Sequence, residues 1–410
     1  MTTHTERTQA WIDSQLATSV TERWRTGYER LYQSADRLGR MPVGHIISLA
    51  RIYSILTALA TVEFRSCLDV GCGSGRLAHL VRSLYDARAV GIDLSRDFAA
   101  TARREFRLPA YVANAAVVPF SDGQFDLVLC SEVLEHVEYP FAVLAELWRV
   151  ARVAVVLTTQ EACRGAWHRR WHMAAVEYAQ PHAERNYFIP DDFRRAFGSD
   201  VEITALLRMP ERIRLLRPES VAELKDCMRV LAADRRLGLG SFGVLVVARK
   251  GPSQATSRVS PDAVLDLVVA DDSRLDALAA QRAADPLSHL SVPMDVPVLT
   301  PPVPVCPECY GALDVAEEAT VRCLACAATF PVHQGAAVLL GSQAAIARSE
   351  AAWGGRASLD PVRRALAQRP FPTRWGRKLV RATIKVSDFL LLPMPWAEKI
   401  SLGWRYLRWG

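Results

Sequence analysis

The apolar run Ser66-Cys67-Leu68, which leads into Asp69-Val70-Gly71-Cys72-Gly73-Ser74-Gly75 and then Arg76 to Leu84, constrains the fold more than any other feature of the chain. An apolar run stopped by closely spaced glycines reads as a buried strand entering a tight turn and then a helix, the unit from which open parallel α/β sheets are wound. Backbone in such a turn can lie flat against a nucleotide-like ligand at the helix N-terminus. The alternation continues with Ala89 to Ile92 ending at Asp93, then Ala113-Asn114-Ala115, then Phe125 to Cys130, and on to Leu157. Val201 to Leu207 and Phe242 to Ala248 predict two last strands at an antiparallel edge. The expected core is a Rossmann-like, seven-stranded, doubly wound α/β sheet over residues 45–250.

A dinucleotide fingerprint would place a third glycine where Arg76 stands, and it would hold a pyrophosphate on the helix N-terminus. This chain instead carries Asp69 before the first glycine, which would repel a pyrophosphate but can face the positive amino and sulfonium end of S-adenosylmethionine (AdoMet). Asp93, at the end of the second strand, is placed to accept both ribose hydroxyls. With these motifs in order, residues from about Cys67 to Leu157 resemble class I AdoMet-dependent methyltransferases of the type 11-like group, with Asp-hydrophobic-Gly-Cys-Gly-x-Gly, Pro-Phe and Glu-His. The resemblance implies a cofactor site made by Asp69, Gly71, Gly73, Gly75, Asp93, Leu94, Asn114, Ala115 and Cys130. Asn114 departs from the aspartate usual at its position, yet its side-chain oxygen can still accept from the adenine amino group.

Ser131-Glu132-Val133-Leu134-Glu135-His136-Val137 follows the fourth strand, and Glu132 and His136 share a face if the segment is helical. Three readings stay open for Glu132, Glu135 and His136. The Glu-x-x-Glu-His string resembles small-RNA 2′-O-methyltransferases and ubiquinone-pathway O-methyltransferases, which implies a divalent metal lowering the acceptor's pKa. Alternatively, His136 is a general base. In the third reading Glu132 contacts the methionine end while Glu135 and His136 hold the turn. The stretch Thr158 to Phe197 follows a strand end, where ligands of open sheets sit, and its His168, His172, His182 and Tyr187 are the candidate acceptor-binding residues.

A chain of 410 residues exceeds one domain of about 200 residues. Residues 1–44 read as an N-terminal helical cap, 251–303 as a linker with a helix, 304–342 as a zinc ribbon and 343–410 as a basic amphipathic tail. Cys306-x-x-Cys309 and Cys323-x-x-Cys326 have the spacing of a closed four-thiolate zinc site. Thr329 to Leu340 resembles the small zinc-ribbon activator subunits of some methyltransferases, which implies service to the chain's own catalytic domain or to the acceptor. Cys67, Cys72, Cys130 and Cys163 read as small buried side chains.

The tail from Arg374 carries eight basic against two acidic residues, interleaved with Trp375, Trp396, Trp404 and Trp409. This pattern suits an anionic membrane surface or a phosphate-bearing substrate such as RNA. Met1 to Gln15 is polar and lacks the apolar centre of a signal peptide, so a cytoplasmic protein, peripheral on the inner membrane face, is expected. The expected activity is methyl transfer to the oxygen of a small, glycan or lipid-linked acceptor. The alternatives are methylation of RNA or of a translation protein, and a non-catalytic AdoMet-binding regulator.

Overall fold

The computed structural model describes residues 43–137, 140–159, 186, 188–198, 200–208, 218, 220–237, 241–251, 259–284, 297–299, 301–317 and 320–352. The expected cap before residue 43, the acceptor candidates His168, His172, His182 and Tyr187, Cys163, and the expected tail beyond Ala352 all lie outside these residues. In chain order the elements are α1 (Val43–Leu59), β1 (Ser66–Val70), α2 (Arg76–Tyr85), β2 (Arg88–Asp93), α3 (Arg96–Phe106), β3 (Ala110–Ala113), β4 (Phe125–Ser131), α4 (Pro140–Val150) and β5 (Ala151–Thr159). There follow α5 (Pro190–Phe197), β6 (Val201–Arg208), α6 (Val221–Ala233), β7 (Ser241–Arg249), α7 (Pro261–Ala284), β8 (Leu313–Glu317), β9 (Thr320–Cys323), β10 (Thr329–His333), β11 (Ala336–Leu339) and α8 (Gln343–Ala352).

Strands β1 to β5 pair in parallel, and β7 inserts antiparallel between β5 and β6. Successive residues of these strands point to opposite faces and both faces are buried, as crossover helices on both sides require. Leu68, Val70, Val90, Ile92, Tyr111 and Val128 pack with α4, α5 and α8. Cys67, Ala89, Val112, Leu127 and Leu129 pack with α1, α2, α3, α6 and α7.

The sheet does not stop at the expected seven strands. Its order is β6-β7-β5-β4-β1-β2-β3-β11-β10-β9-β8, eleven strands in all, so the cysteine-bearing hairpins continue the sheet rather than forming a detached module. The junction is a short parallel pairing, Val338 with Val112 and Leu339 with Ala113. Its physical reason is the edge of β3, whose backbone N–H and C=O groups would otherwise lack partners. Cys306, Cys323, Val321 and Phe330 are buried in the same core as Tyr111 and Phe120.

Polar contacts tie the same joint. Val305 N–H donates to the Pro119 carbonyl at 2.8 Å, and the Arg103 guanidinium, 1% exposed as a residue, donates to the Pro297 carbonyl at 2.8 Å. Arg149 lies 5.0 Å from the ring centroid of Tyr310.

Within the expected linker, α7 packs Val264, Leu265 and Val268 into the core beside α1. Its acidic side is matched by bases on the layer beneath. Arg229 Nη2 lies 2.7 Å from Asp262 Oδ1, Lys225 pairs with Asp266, and Arg76 Nε lies 2.8 Å from Asp271 Oδ2. His45 Nε2 lies 2.9 Å from Asp272 Oδ2, which joins α1 to the same cluster. No helix among the described residues is long and apolar enough to cross a membrane.

Candidate active site

The carboxyl ends of β1 to β5 lie side by side, and the loops that leave them carry most of the residues singled out above. After β1 the turn is stitched to β2, since Gly71 N–H and Cys72 N–H both donate to the Ile92 carbonyl, at 2.8 and 3.0 Å. Gly71 has φ +75°, and a Cβ there would lie 2.2 Å from Val133 Cγ2, so this glycine lets β1 pack against the loop after β4. Gly73, φ +54°, differs in that a Cβ there would meet nothing within 4 Å. Open space beside left-handed backbone is where a ligand approaches the turn.

Asp69 is 2% exposed and its Oδ2 has no hydrogen-bond partner among the described residues. Burial, and secondarily the charge of Asp93, push its carboxyl up to about 7, against a lowering contribution from the Ala78 N–H. An orphaned acidic oxygen beside the glycine turn is what a cationic amino group would satisfy, so the donor set fits AdoMet.

Asp93 fixes the turn itself. Its Oδ2 accepts from Gly73 N–H and its Oδ1 from Ser95 N–H, each at 2.8 Å. With Leu94 N–H as a third donor, the carboxylate still keeps lone-pair capacity for a ribose hydroxyl. Burial raises its pKa, and the N–H groups of Ser95, Gly73 and Leu94 oppose that rise. Leu94 beside it is 39% exposed, an apolar surface at the ribose end.

Asn114 Oδ1 accepts from Ala116 N–H at 2.9 Å, a local turn that uses one of the two lone pairs expected to serve adenine. Ala115 is half-buried beside it. Cys130 is 1% exposed, and burial raises its thiol pKa, so its side chain belongs to the core.

The segment after β4 is a turn rather than a helix, and Glu132 has φ +57°, so the expected helical face does not form. Glu132 Oε2 lies 2.5 Å from Arg51 Nη2 of α1, and Glu132 Oε1 accepts from Thr158 Oγ1 at 3.1 Å. Glu135 is buried, with Oε2 accepting from Thr159 Oγ1 at 2.9 Å. His136 is half-buried. Among the described residues these three do not assemble a metal-ligand cluster; the residues that do are the four cysteines.

Arg51, Thr158, Thr159 and Asn186 were not legible as site residues. Asn186 Nδ2 holds the turn by donating to the carbonyls of Leu134 and Val137, at 2.8 and 2.7 Å. A usable signal existed for the threonines, a polar pair closing an apolar strand at its carboxyl end, but none for Arg51, which reaches the site from a helix that precedes β1.

The sulfurs of Cys306, Cys309, Cys323 and Cys326 lie within 4.8 Å of one another, with Cys306–Cys326 at 3.7 Å and Cys309–Cys323 at 3.5 Å. Tetrahedral zinc with Zn–S bonds of about 2.3 Å spaces its sulfurs by about 3.8 Å, so the arrangement fits. Burial raises the Cys323 thiol pKa, but the N–H groups of Cys326 and Ala325 and the neighbouring thiols bring it down to about 7.

Residues 68–157 match the family described as "Methyltransferase domain". The ubiquinone biosynthesis O-methyltransferase of Methylococcus capsulatus is 34% identical over 123 residues, covering 28% of this chain and 51% of that protein. The demethylmenaquinone methyltransferase of a Roseiflexus species is 29% identical over 206 residues, covering 48% of this chain and 82% of that protein. A Thermotoga maritima structure described as a SAM-dependent methyltransferase, possible histamine N-methyltransferase, is 16% identical with a TM-score of 0.38, covering 56% of this chain and 98% of that one. The chain spans about half the length of the first curated relative and 42% of a second, the ajmaline N-methyltransferase of Rauvolfia serpentina. Family match, strand order and glycine turn together make residues 68–157 the core of a class I AdoMet-dependent methyltransferase domain.

Proposed function

We propose that the chain transfers the methyl group of AdoMet to the oxygen of a small or lipid-linked acceptor. The observation that carries the cofactor half is the joint placement of open backbone at Gly73, the unpartnered Asp69 Oδ2, and Asp93 locked by two N–H groups at the carboxyl edge of the sheet. The acceptor half is supported by the relatives described as ubiquinone and tocopherol O-methyltransferases.

When bound, AdoMet supplies an electrophilic methyl group. Asp69 would hold its amino group and Asp93 its ribose, so the turn sets where the methyl points. Displacement at a sulfonium gains chiefly from such positioning, and a hydroxyl acceptor must also lose one proton. Glu132 and Glu135 are engaged by Arg51, Thr158 and Thr159. An imidazole is the group here whose ordinary pKa suits proton removal near neutral pH, so His136, half-buried in the same turn, is our choice for the base.

For the four cysteines we infer a structural zinc. All four tetrahedral positions would be filled, so it offers no catalytic site. Because β11 covers the edge of β3, its role is read as support of the chain's own catalytic domain.

The test is to incubate the purified full chain with methyl-labelled AdoMet and a cell extract, then partition the label. The reading expects label in the organic-soluble fraction, lost on base treatment that spares methyl ethers only if the product is an ester. Nuclease-sensitive label would move the acceptor to RNA, and absence of AdoMet binding would overturn the whole reading.

A further inference from the structure

Asn186 makes three hydrogen bonds to one turn, and that turn carries His136. Its Nδ2 donates to the carbonyls of Leu134 and Val137, at 2.8 and 2.7 Å, and its backbone N–H donates to the Glu135 carbonyl at 3.1 Å. Both hydrogens of the amide are therefore spent on carbonyls that flank His136 on either side. The reverse orientation would set the amide oxygen against two carbonyl oxygens, so the donors can face only this way. Asn186 is 7% exposed, and Phe188, two residues on, packs edge-on against Phe141 of α4 with ring centroids 6.5 Å apart. The clamp is thus shielded from water, where a hydrogen bond left unmade costs most.

The turn is fixed from a second side as well. His136 N–H donates to the Val133 carbonyl at 3.0 Å, and the buried Glu135 carboxylate accepts from Thr159 Oγ1 at 2.9 Å. Thr159 ends β5 and Asn186 precedes α5, so Glu135 is gripped twice, by its side chain from the strand and by its main chain from Asn186. Glu135 is sealed while His136 is half-buried, which leaves the imidazole as the group of this pair within an acceptor's reach. A base acts only where its nitrogen meets the proton to be removed, and a displacement of about 1 Å can cost on the order of a hundredfold in rate. We infer that Asn186 is a positioning residue for methyl transfer: by holding the carbonyls of Leu134, Glu135 and Val137 it sets the direction of His136 without itself touching cofactor or acceptor. This inference rests on the reading of His136 as the base.

The test is a double-mutant cycle on the full chain. Its readouts are the initial rate of label transfer from methyl-labelled AdoMet to a cell extract, in whichever fraction takes the label, and calorimetric titration with S-adenosylhomocysteine. Asn186→Ala is expected to lower the rate at saturating AdoMet by roughly tenfold to a hundredfold, while the S-adenosylhomocysteine dissociation constant stays within about twofold. In a His136→Gln background, already slow, the same substitution should change the rate by less than about twofold, because the residue it positions is gone. Asn186→Ser, which keeps one side-chain donor, should fall between wild type and Asn186→Ala, and it carries the cycle where the alanine variant does not fold. An equal loss of rate in both backgrounds, or a parallel loss of S-adenosylhomocysteine affinity, would reduce Asn186 to a structural tie and overturn the inference. A slow His136→Gln beside a folded, fully active Asn186→Ala would overturn the inference alone. A His136→Gln variant as fast as the wild type would overturn the base reading and the inference with it.

Discussion

Replacing Asp69 by asparagine isolates the electrostatic tension of the cofactor site. Burial and the neighbouring Asp93 raise the Asp69 carboxyl from 3.8 to about 7 in the ligand-free fold. Three units correspond to roughly 4 kcal/mol of disfavoured ionisation. The sign follows from proton counting: between about pH 4 and 7 the folded protein keeps a proton that the unfolded chain has lost, so stability falls as pH rises through that window. The steepest loss is about 1.4 kcal/mol per pH unit, and it is complete above about pH 7. Asp69→Asn removes this contribution, so urea denaturation of ligand-free wild type and variant should give curves that diverge by up to a few kcal/mol between about pH 5 and 7. The variant itself gives up some stability at all pH values, because an amide N–H₂ replaces the orphaned oxygen. A cationic amino group bound at Asp69 favours the ionised form, so AdoMet should bind the wild type more tightly as pH rises toward 7, by up to about tenfold per unit, with proton release in calorimetry. Parallel stability curves for wild type and variant would show that Asp69 does not carry this tension, and the amino-group assignment would go with it.

The two turn glycines should separate cleanly. Gly73→Ala, with nothing within 4 Å of the added carbon, should cost about 1–2 kcal/mol for its left-handed backbone yet weaken AdoMet binding more than tenfold. Gly71→Ala, 2.2 Å from Val133 Cγ2, should lower the melting temperature far more, so thermal scans paired with AdoMet titration tell ligand approach from packing. Activity should survive removal of loosely bound divalent ions, because Glu132, Glu135 and His136 do not assemble a metal site; a loss that magnesium or manganese restores would revive it. Cys306→Ser should abolish zinc co-purification, measured by elemental analysis, and destabilise the domain. Unchanged zinc content would refute the four-thiolate assignment.

What was legible in the sequence had a local cause. The strand-turn-helix at Asp69 to Arg76 is written in burial period and glycine spacing, and the antiparallel insertion of β7 in two apolar runs near the end of the domain. The failures were contacts between distant segments. Glu132 and His136 look helical by spacing, but a left-handed Glu132, fixed by Thr158 and Arg51, breaks that periodicity. The position of Asn114 predicts a side chain facing adenine, but its oxygen also closes a turn onto Ala116. Two Cys-x-x-Cys pairs announce a metal site at any distance along the chain, yet nothing in Ala336 to Leu339 announces that this strand will seek the edge of β3.

That pairing gives the cysteine-bearing hairpins a place in the catalytic sheet. β3 has four residues and is followed by Asn114 and Ala115, so an open outer edge would leave the proposed adenine end of the site on a short edge strand. β11 closes the edge, and β11 is in turn held by β10 and by Ala337 and Leu339 in the core that also buries Cys306 and Cys323. Bringing four thiols together and holding Asn114 in place are therefore parts of one folding event. The methionine end depends on other contacts, namely Gly71 against Val133, Asp93 on Gly73, and α1 through Arg51. Loss of one of the four cysteines should then loosen the proposed site from the Asn114 side inward, the opposite direction from damage at Asp69.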